Sequence, residues 1–176
     1  QHFIQWGQTV SQATQHIYPR LGYQLTGNYQ YIVNKYKSWL GLGEGTVYLP
    51  GLLANHSIVL NGEYQETDTM IRAFSNRIAY SRGYNAAYFS RMWRISGNYH
   101  FPLWHMYFGF ASILYVSRIR ANAFYDLTRV YSNDKRLTAD QRSFGGEIFF
   151  DTKWWNQYPL TFGLRMSHLL DTDFYS

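Results

Sequence analysis

Cysteine is absent from this chain, which excludes disulfides, thiolate metal sites and cysteine nucleophiles. Charge is scarce as well: Asp, Glu, Lys and Arg make up 15% of the 176 residues, against about 25% in an average soluble domain. No run approaches the ~20 consecutive apolar residues that a membrane helix needs. Gln1 leads straight into a strand-like pattern with no leader-type segment, so the expectation is a mature chain or a piece of a longer one. What the chain has in excess is aromatic: 17 Tyr, 12 Phe and 6 Trp, together 20% of the residues. The mean hydropathy is nevertheless −0.37. Few charges, many aromatics and no long apolar run fit a transmembrane β-barrel, whose lipid-facing and lumen-facing residues alternate and cancel in any average.

The length is that of one domain, residues 1–176, with enough material for a real core. A net charge of +5 and an isoelectric point near 9.4 could draw an anionic surface such as acidic lipid headgroups. The positive residues form no basic run, and no nucleic-acid-binding motif appears, so nucleic acid is not an expected partner. They suit a polar interior or a membrane rim better.

Period-two alternation is the main local signal, and helical periodicity is weak throughout. Leu21, Tyr23, Leu25 and Tyr29 alternate with Arg20, Gln24, Thr26, Asn28 and Gln30. Ile58, Leu60 and Tyr64 alternate with Ser57, Asn61, Glu63 and Gln65, and Trp93, Ile95, Tyr99 and Phe101 with Arg94, Ser96, Asn98 and His100. Tyr115 to Leu127 opposes Arg118, Arg120, Asn122, Asp126 and Thr128. Phe144, Ile148, Phe150 and Trp154 oppose Ser143, Glu147, Asp151 and Lys153, while Leu160, Phe162, Leu164 and Met166 oppose Thr161, Gly163, Arg165 and Ser167. With Phe3–Gln12 and Gly45–Leu52, about eight strands are expected. Several reach the roughly 9–11 residues of a tilted membrane strand, whereas soluble strands average nearer 5–6.

Tight turns are expected at Pro50-Gly51 and Asn156-Gln157-Tyr158-Pro159, with longer polar links over Asn34–Glu44, Thr67–Tyr88 and Ser132–Gln141. Short turns alternating with long loops are the asymmetry of an outer-membrane barrel. Tyr29, Tyr31, Tyr36, Trp39, Trp104, Tyr107, Trp154, Trp155 and Tyr158 fall near expected strand ends, where an interfacial girdle would place them.

Catalytic constellations are hard to find. His2, His16, His56, His100, His105 and His168 show no zinc-site spacing. Small outer-membrane lipid hydrolases use Ser and His, but Ser167 and His168 are neighbours on a strand and point to opposite faces. Neither a metal nor an organic cofactor is expected. On the inward parity fall Arg94, Arg118, Arg120, Glu147, Asp151, Lys153 and Arg165, charges that an open pore would leave solvated and a plugged lumen would need paired. Asp126, flanked by aromatics in "AFYDLT", reads as an acid with a specific partner.

"SRGY" (Ser81–Tyr84) resembles the [V/I]-R-G-[F/Y] motif of the Omp85 superfamily of outer-membrane barrels. "RISGNYHFPLW" (Arg94–Trp104) is similar to the family strand ending in aromatic-x-x-Pro, and "IRANAFYDLTRVY" (Ile119–Tyr131) to the next strand with its aromatic-Asp signature. "RSFGGEIFFDTKWWNQYPLTFGLRMSHLL" (Arg142–Leu170) resembles the closing hairpin. Order and intervals match from Arg82 to Leu170, about half the chain. Upstream, the long strand pairs with "TVYLPGL" (Thr46–Leu52) resemble more weakly the Omp85-type barrels of Bacteroidetes-like bacteria.

The resemblance implies a bacterial outer-membrane location and an antiparallel transmembrane β-barrel of about sixteen strands, of which this chain would be the C-terminal half. It implies a non-enzymatic role in inserting polypeptides into, or moving them across, that membrane. Lipid or lipopolysaccharide, polypeptide clients and accessory periplasmic or lipoprotein subunits would be the partners. Within 67–89, a lumen-directed loop would carry Arg82, Gly83 and Tyr84. Arg82 would reach Asp126, while the family's second acid position falls near Asn98. Gly83 would permit the tight turn, and Tyr84 would pack on the barrel wall. Arg118, Arg120, Glu147, Asp151 and Arg165 would form the surrounding lumen network. "NAAYFS" (Asn85–Ser90) is barely long enough for the short strand that follows the motif in the family. The chain ends in Asp173-Phe174-Tyr175-Ser176, whereas the family's assembly signals commonly end on an aromatic. Competing readings are a small eight-stranded OmpA-like structural or adhesion barrel, an outer-membrane lipid hydrolase and a soluble aromatic-rich β-protein such as a lectin.

Overall fold

The computed structural model describes residues 2–10, 17–33, 37–53, 55–68, 74–85, 87–105, 108–110, 113–132, 138–155 and 157–171. His16, Tyr36, Tyr107, Asn156 and the terminal Asp173–Ser176 lie outside these. The described residues form an all-β structure: β1 (His2–Thr9), β2 (Gly22–Ile32), β3 (Ser38–Pro50), β4 (Ser57–Thr67), β5 (Arg91–Trp104), β6 (Phe108–Phe110), β7 (Leu114–Tyr131), β8 (Thr138–Trp154) and β9 (Tyr158–Leu169). All belong to one antiparallel sheet in the order β1-β2-β3-β4-β5-β7-β8-β9, with β6 pairing only with β7. Each long strand lies beside its predecessor, so the connections are local.

Register follows the alternation. Asn122 of β7 stands opposite Glu147 of β8, which stands opposite Arg165 of β9. The next row pairs Ala121 with Ile148 and Ile148 with Leu164. A one-residue slip would exchange these polar and apolar rows between faces, so the pattern pins the pairing. The usual sense of burial is reversed. Ser96, Asn98, Asn122, Asp126, Thr128, Ser143 and Glu147 are buried, while Leu25, Leu60, Ile95, Phe144, Ile148, Phe162 and Leu164 are exposed.

Several boundaries differ from those the sequence suggests. The strand expected from Gly45 begins at Ser38. Gly41, Gly43 and Gly45 interrupt the alternation without breaking the ladder, and pair with Tyr29, Gly27 and Leu25. The last long link is shorter than Ser132–Gln141, because β8 starts at Thr138. The turn expected through Pro159 is confined earlier: Trp155 takes a positive φ of 47° and β9 already includes Tyr158 and Pro159. A ninth strand, β6, is three residues long. Residues 87–90 form no strand and lead straight into β5.

Residues 74–85 and 87–90 pack over the buried face. Ile78 joins Met92 and Val130 in a small apolar cluster, with Leu42, Tyr80, Phe89 and Ala139 against it. Gln65, fully buried on β4, anchors the incoming backbone. Its Oε1 accepts from the amides of Arg77 at 2.7 Å and Ile78 at 3.3 Å, and its Nε2 donates to Asn76 Oδ1 at 3.1 Å. Docked loop amides that have left water need such partners.

Candidate functional site

The loop reaches its tip at Ser81–Tyr84. Ser81 Oγ donates to the Gln141 carbonyl oxygen at 2.6 Å and lies 2.8 Å from Thr128 Oγ1. These bonds tie the tip to β7 and β8. Gly83 has φ +101°, and a Cβ built on it would stand 2.6 Å from Ser167 Oγ and 2.7 Å from Leu169 Cδ2. Only glycine satisfies both the left-handed backbone and the close approach to β9.

Arg82 is thereby aimed along the buried face, with its side chain 12% exposed against 0% for Asp126. Its Nε donates to Asp126 Oδ2 at 2.7 Å and its Nη2 to Oδ1 at 2.9 Å. Such a bidentate fork is the strongest geometry available to an arginine and a carboxylate. The backbone amide of Arg82 adds a third bond to Oδ2 at 3.0 Å. Nη2 also reaches Asn98 Oδ1 at 2.7 Å and Ser96 Oγ at 3.1 Å. Phe124 lies under the guanidinium, its ring centroid 3.6 Å from Cζ, a cation–π contact.

The structure therefore brings together all the residues the resemblance linked at the tip, and adds a second acid to them. Asn98 does occupy a partner position, as a neutral acceptor. The second carboxylate comes from Glu147, whose Oε2 accepts from Arg82 Nη1 at 3.2 Å. By its place in the sequence Glu147 is expected only in the surrounding network. Tyr84 does more than pack: its hydroxyl donates to the Arg142 carbonyl oxygen at 3.1 Å and accepts from the Asp171 amide at 3.2 Å. Arg142 and Asp171 pair side chain to side chain at 2.7 Å, and the Leu170 amide donates to the Arg142 carbonyl oxygen at 2.9 Å. The loop tip thus touches the junction between the start of β8 and the end of β9. Burial raises the Tyr84 hydroxyl above the usual tyrosine pKa. The Arg142 hydrogen bond holds Asp171 below the usual aspartate value.

Around the tip the charges pair in rows. Arg94 bridges Asp126 at 3.2 Å and Glu63 at 3.3 Å. Arg118 and Arg120 share Asp151, at 2.8 and 3.2 Å, and Arg165 Nε donates to Glu147. Lys153, on the same parity, is exposed. Ser167 stands opposite Gly145 on the buried face, while His168 packs against Phe144, ring centroids 5.2 Å apart, on the other face. That pair cannot form a nucleophile–base contact.

Asp126 accepts five hydrogen bonds: three from Arg82, one from Arg94 and one from Ser96 Oγ at 2.6 Å. A carboxylate offers about four lone-pair sites, so the acceptor capacity of Asp126 is filled. The arrangement is suited to holding the loop. Sequence reasoning missed Gln65, Ser81, Ser96 and Phe124 as partners. For the strand residues the signal was there, since all sit on the buried parity; Ser81 had none beyond its place in the motif. Comparison with family models, with curated proteins and with solved structures gave no match.

Proposed function

We propose that this chain is the membrane-spanning, C-terminal half of an Omp85-type outer-membrane barrel that inserts polypeptides into, or passes them across, that membrane without covalent chemistry. The loop clasped by Arg82 carries this reading: an Arg-Gly-Tyr tip, folded onto a polar sheet face and closed on the aromatic-Asp residue of β7 by a bidentate pair. Inverted burial supports it, because a sheet with Leu60, Ile95, Ile148 and Leu164 exposed over a polar interior suits lipid outside and a hydrated or plugged lumen inside. Trp104, Trp155 and Tyr158, each more than half exposed near strand ends, suit headgroup contact. In this reading the strands that complete the barrel precede β1, β9 closes the barrel against the first of them, and lipid, client polypeptides and accessory subunits are the partners. Arg82 acts as a latch on the lumen loop.

Arg82→Ala in the full protein should impair assembly or client insertion far more than Arg91→Ala. Arg91 also pairs with an acid, Glu66 at 2.6 Å, but its side chain is 34% exposed. Equal and mild effects in an in vitro insertion assay would reduce the motif to an ordinary hairpin.

A further inference from the structure

We propose that the cavity beside the latch binds the carboxylate side chains of an extended acidic polypeptide segment. The inference rests on the polypeptide-handling reading above and names the substrate class for it. The cavity measures about 720 Å³ and lies between the Arg82–Tyr84 tip and strands β3, β4, β5, β7, β8 and β9. Its charged lining is lopsided, with Arg82, Arg94, Arg120 and Arg165 facing one acid, Glu147.

The first two arginines are committed to Asp126. The others are only partly engaged. Arg120 and Arg165 each present Nε alone to a carboxylate among the described residues, which leaves the Nη groups of both for a ligand. Asp151 is shared with Arg118, and Glu147 with Arg82, so cations exceed anions on this side. The Phe149 ring lies 4.4 Å from Arg120 Cζ and holds that guanidinium in a defined plane.

Two further atoms identify the ligand. His100 and Asn122 both line the cavity and are 6% and 2% exposed. His100 Nδ1 and Asn122 Oδ1 meet no partner among the described residues, although buried polar atoms ordinarily have one. A ligand that fills the site must give Asn122 Oδ1 a donor as well as give the arginines acceptors. A polypeptide offers both, through its backbone N–H groups and its carboxylates. A fully ionised phosphate offers acceptors alone.

The test is fluorescence anisotropy on the full chain in detergent at low salt. The probe is a short labelled peptide alternating Glu and Thr, compared with its Gln-and-Thr counterpart. The acidic peptide should bind and the neutral one should not, and added salt should weaken binding. Arg120→Gln and Arg165→Gln should each lower affinity on the order of tenfold. Arg129→Gln, which removes an arginine paired with Asp140 away from the cavity, should leave it unchanged. Equal binding of both peptides, insensitivity to salt in the wild type, or displacement by inorganic phosphate at the peptide's own concentration would overturn the inference. The wild-type measurements decide the matter even if a variant does not fold. Arginine-dependent binding in a protein that fails every insertion assay would sink the functional reading and leave the site standing. Active insertion with arginine-independent binding would do the reverse.

Discussion

At the scale of single residues, the molecule commits most to Arg82 and Asp126. Removing one member of a buried, hydrogen-bonded pair costs about 3–5 kcal/mol, mostly through the charge left behind. Asp126→Asn keeps the shape and removes the charge that Arg82 and Arg94 both use. It should lower unfolding stability by that amount, as read from the denaturant midpoint of tryptophan fluorescence. A double-mutant cycle with Arg82→Ala should then show strong coupling. Gly83→Ala tests the tip differently, since φ is +101° and the new Cβ would meet Ser167 and Leu169. Strain of about 1–3 kcal/mol is expected, and a second substitution, Ser167→Gly, should recover part of it. The Arg82–Asp126 pair was legible beforehand because a motif and a parity pointed at each other. Glu147 as a second acid was not, since nothing in a one-dimensional pattern says how far along β8 a guanidinium reaches.

At the scale of elements, the loop joins strands distant in sequence. Gln65 holds its entry to β4, Ser81 its tip to β7 and β8, and Tyr84 its exit to the β8–β9 junction. That junction titrates. Asp171 has its pKa lowered by Arg142, so its contribution is fully present above the ordinary aspartate value of 3.8 and is lost as pH falls through the lower folded value. Protection of the Leu170 amide, bonded to the Arg142 carbonyl oxygen, should drop only in that acidic window when exchange is measured against the intrinsic rate at each pH. Asp171→Asn should abolish this drop and leave protection low throughout. Strand identity was readable wherever alternation was clean, as in β5, β7, β8 and β9. It failed over the first half of β3, expected as a link, where Gly41 and Gly43 left half the pattern blank and the ladder was set by the strands on either side.

At the scale of the whole molecule, the question is which solvent the apolar face meets. Ile148 and Leu164 stand opposite each other near the middle of β8 and β9, and are 40% and 71% exposed. A charge there discriminates between solvents. On a soluble sheet an exposed Ile148→Arg fills no core space and breaks no polar contact, so it should change stability by about 0.5 kcal/mol or less. Facing lipid, an arginine near the bilayer midplane costs about 2–4 kcal/mol, falling towards zero at the interfaces. The membrane reading therefore expects Ile148→Arg and Leu164→Arg to impair folding into lipid vesicles, with much smaller effects in detergent micelles, which deform around a charge. The same substitution at exposed Trp104 or Tyr158, near the strand ends, should be tolerated. A flat profile along the strands, read by protease protection after reconstitution, would return the chain to a soluble sheet whatever the latch resembles. A depth-dependent profile would require the exposed apolar residues to be a lipid band, and the polar rows behind them the wall that holds the Arg82 loop.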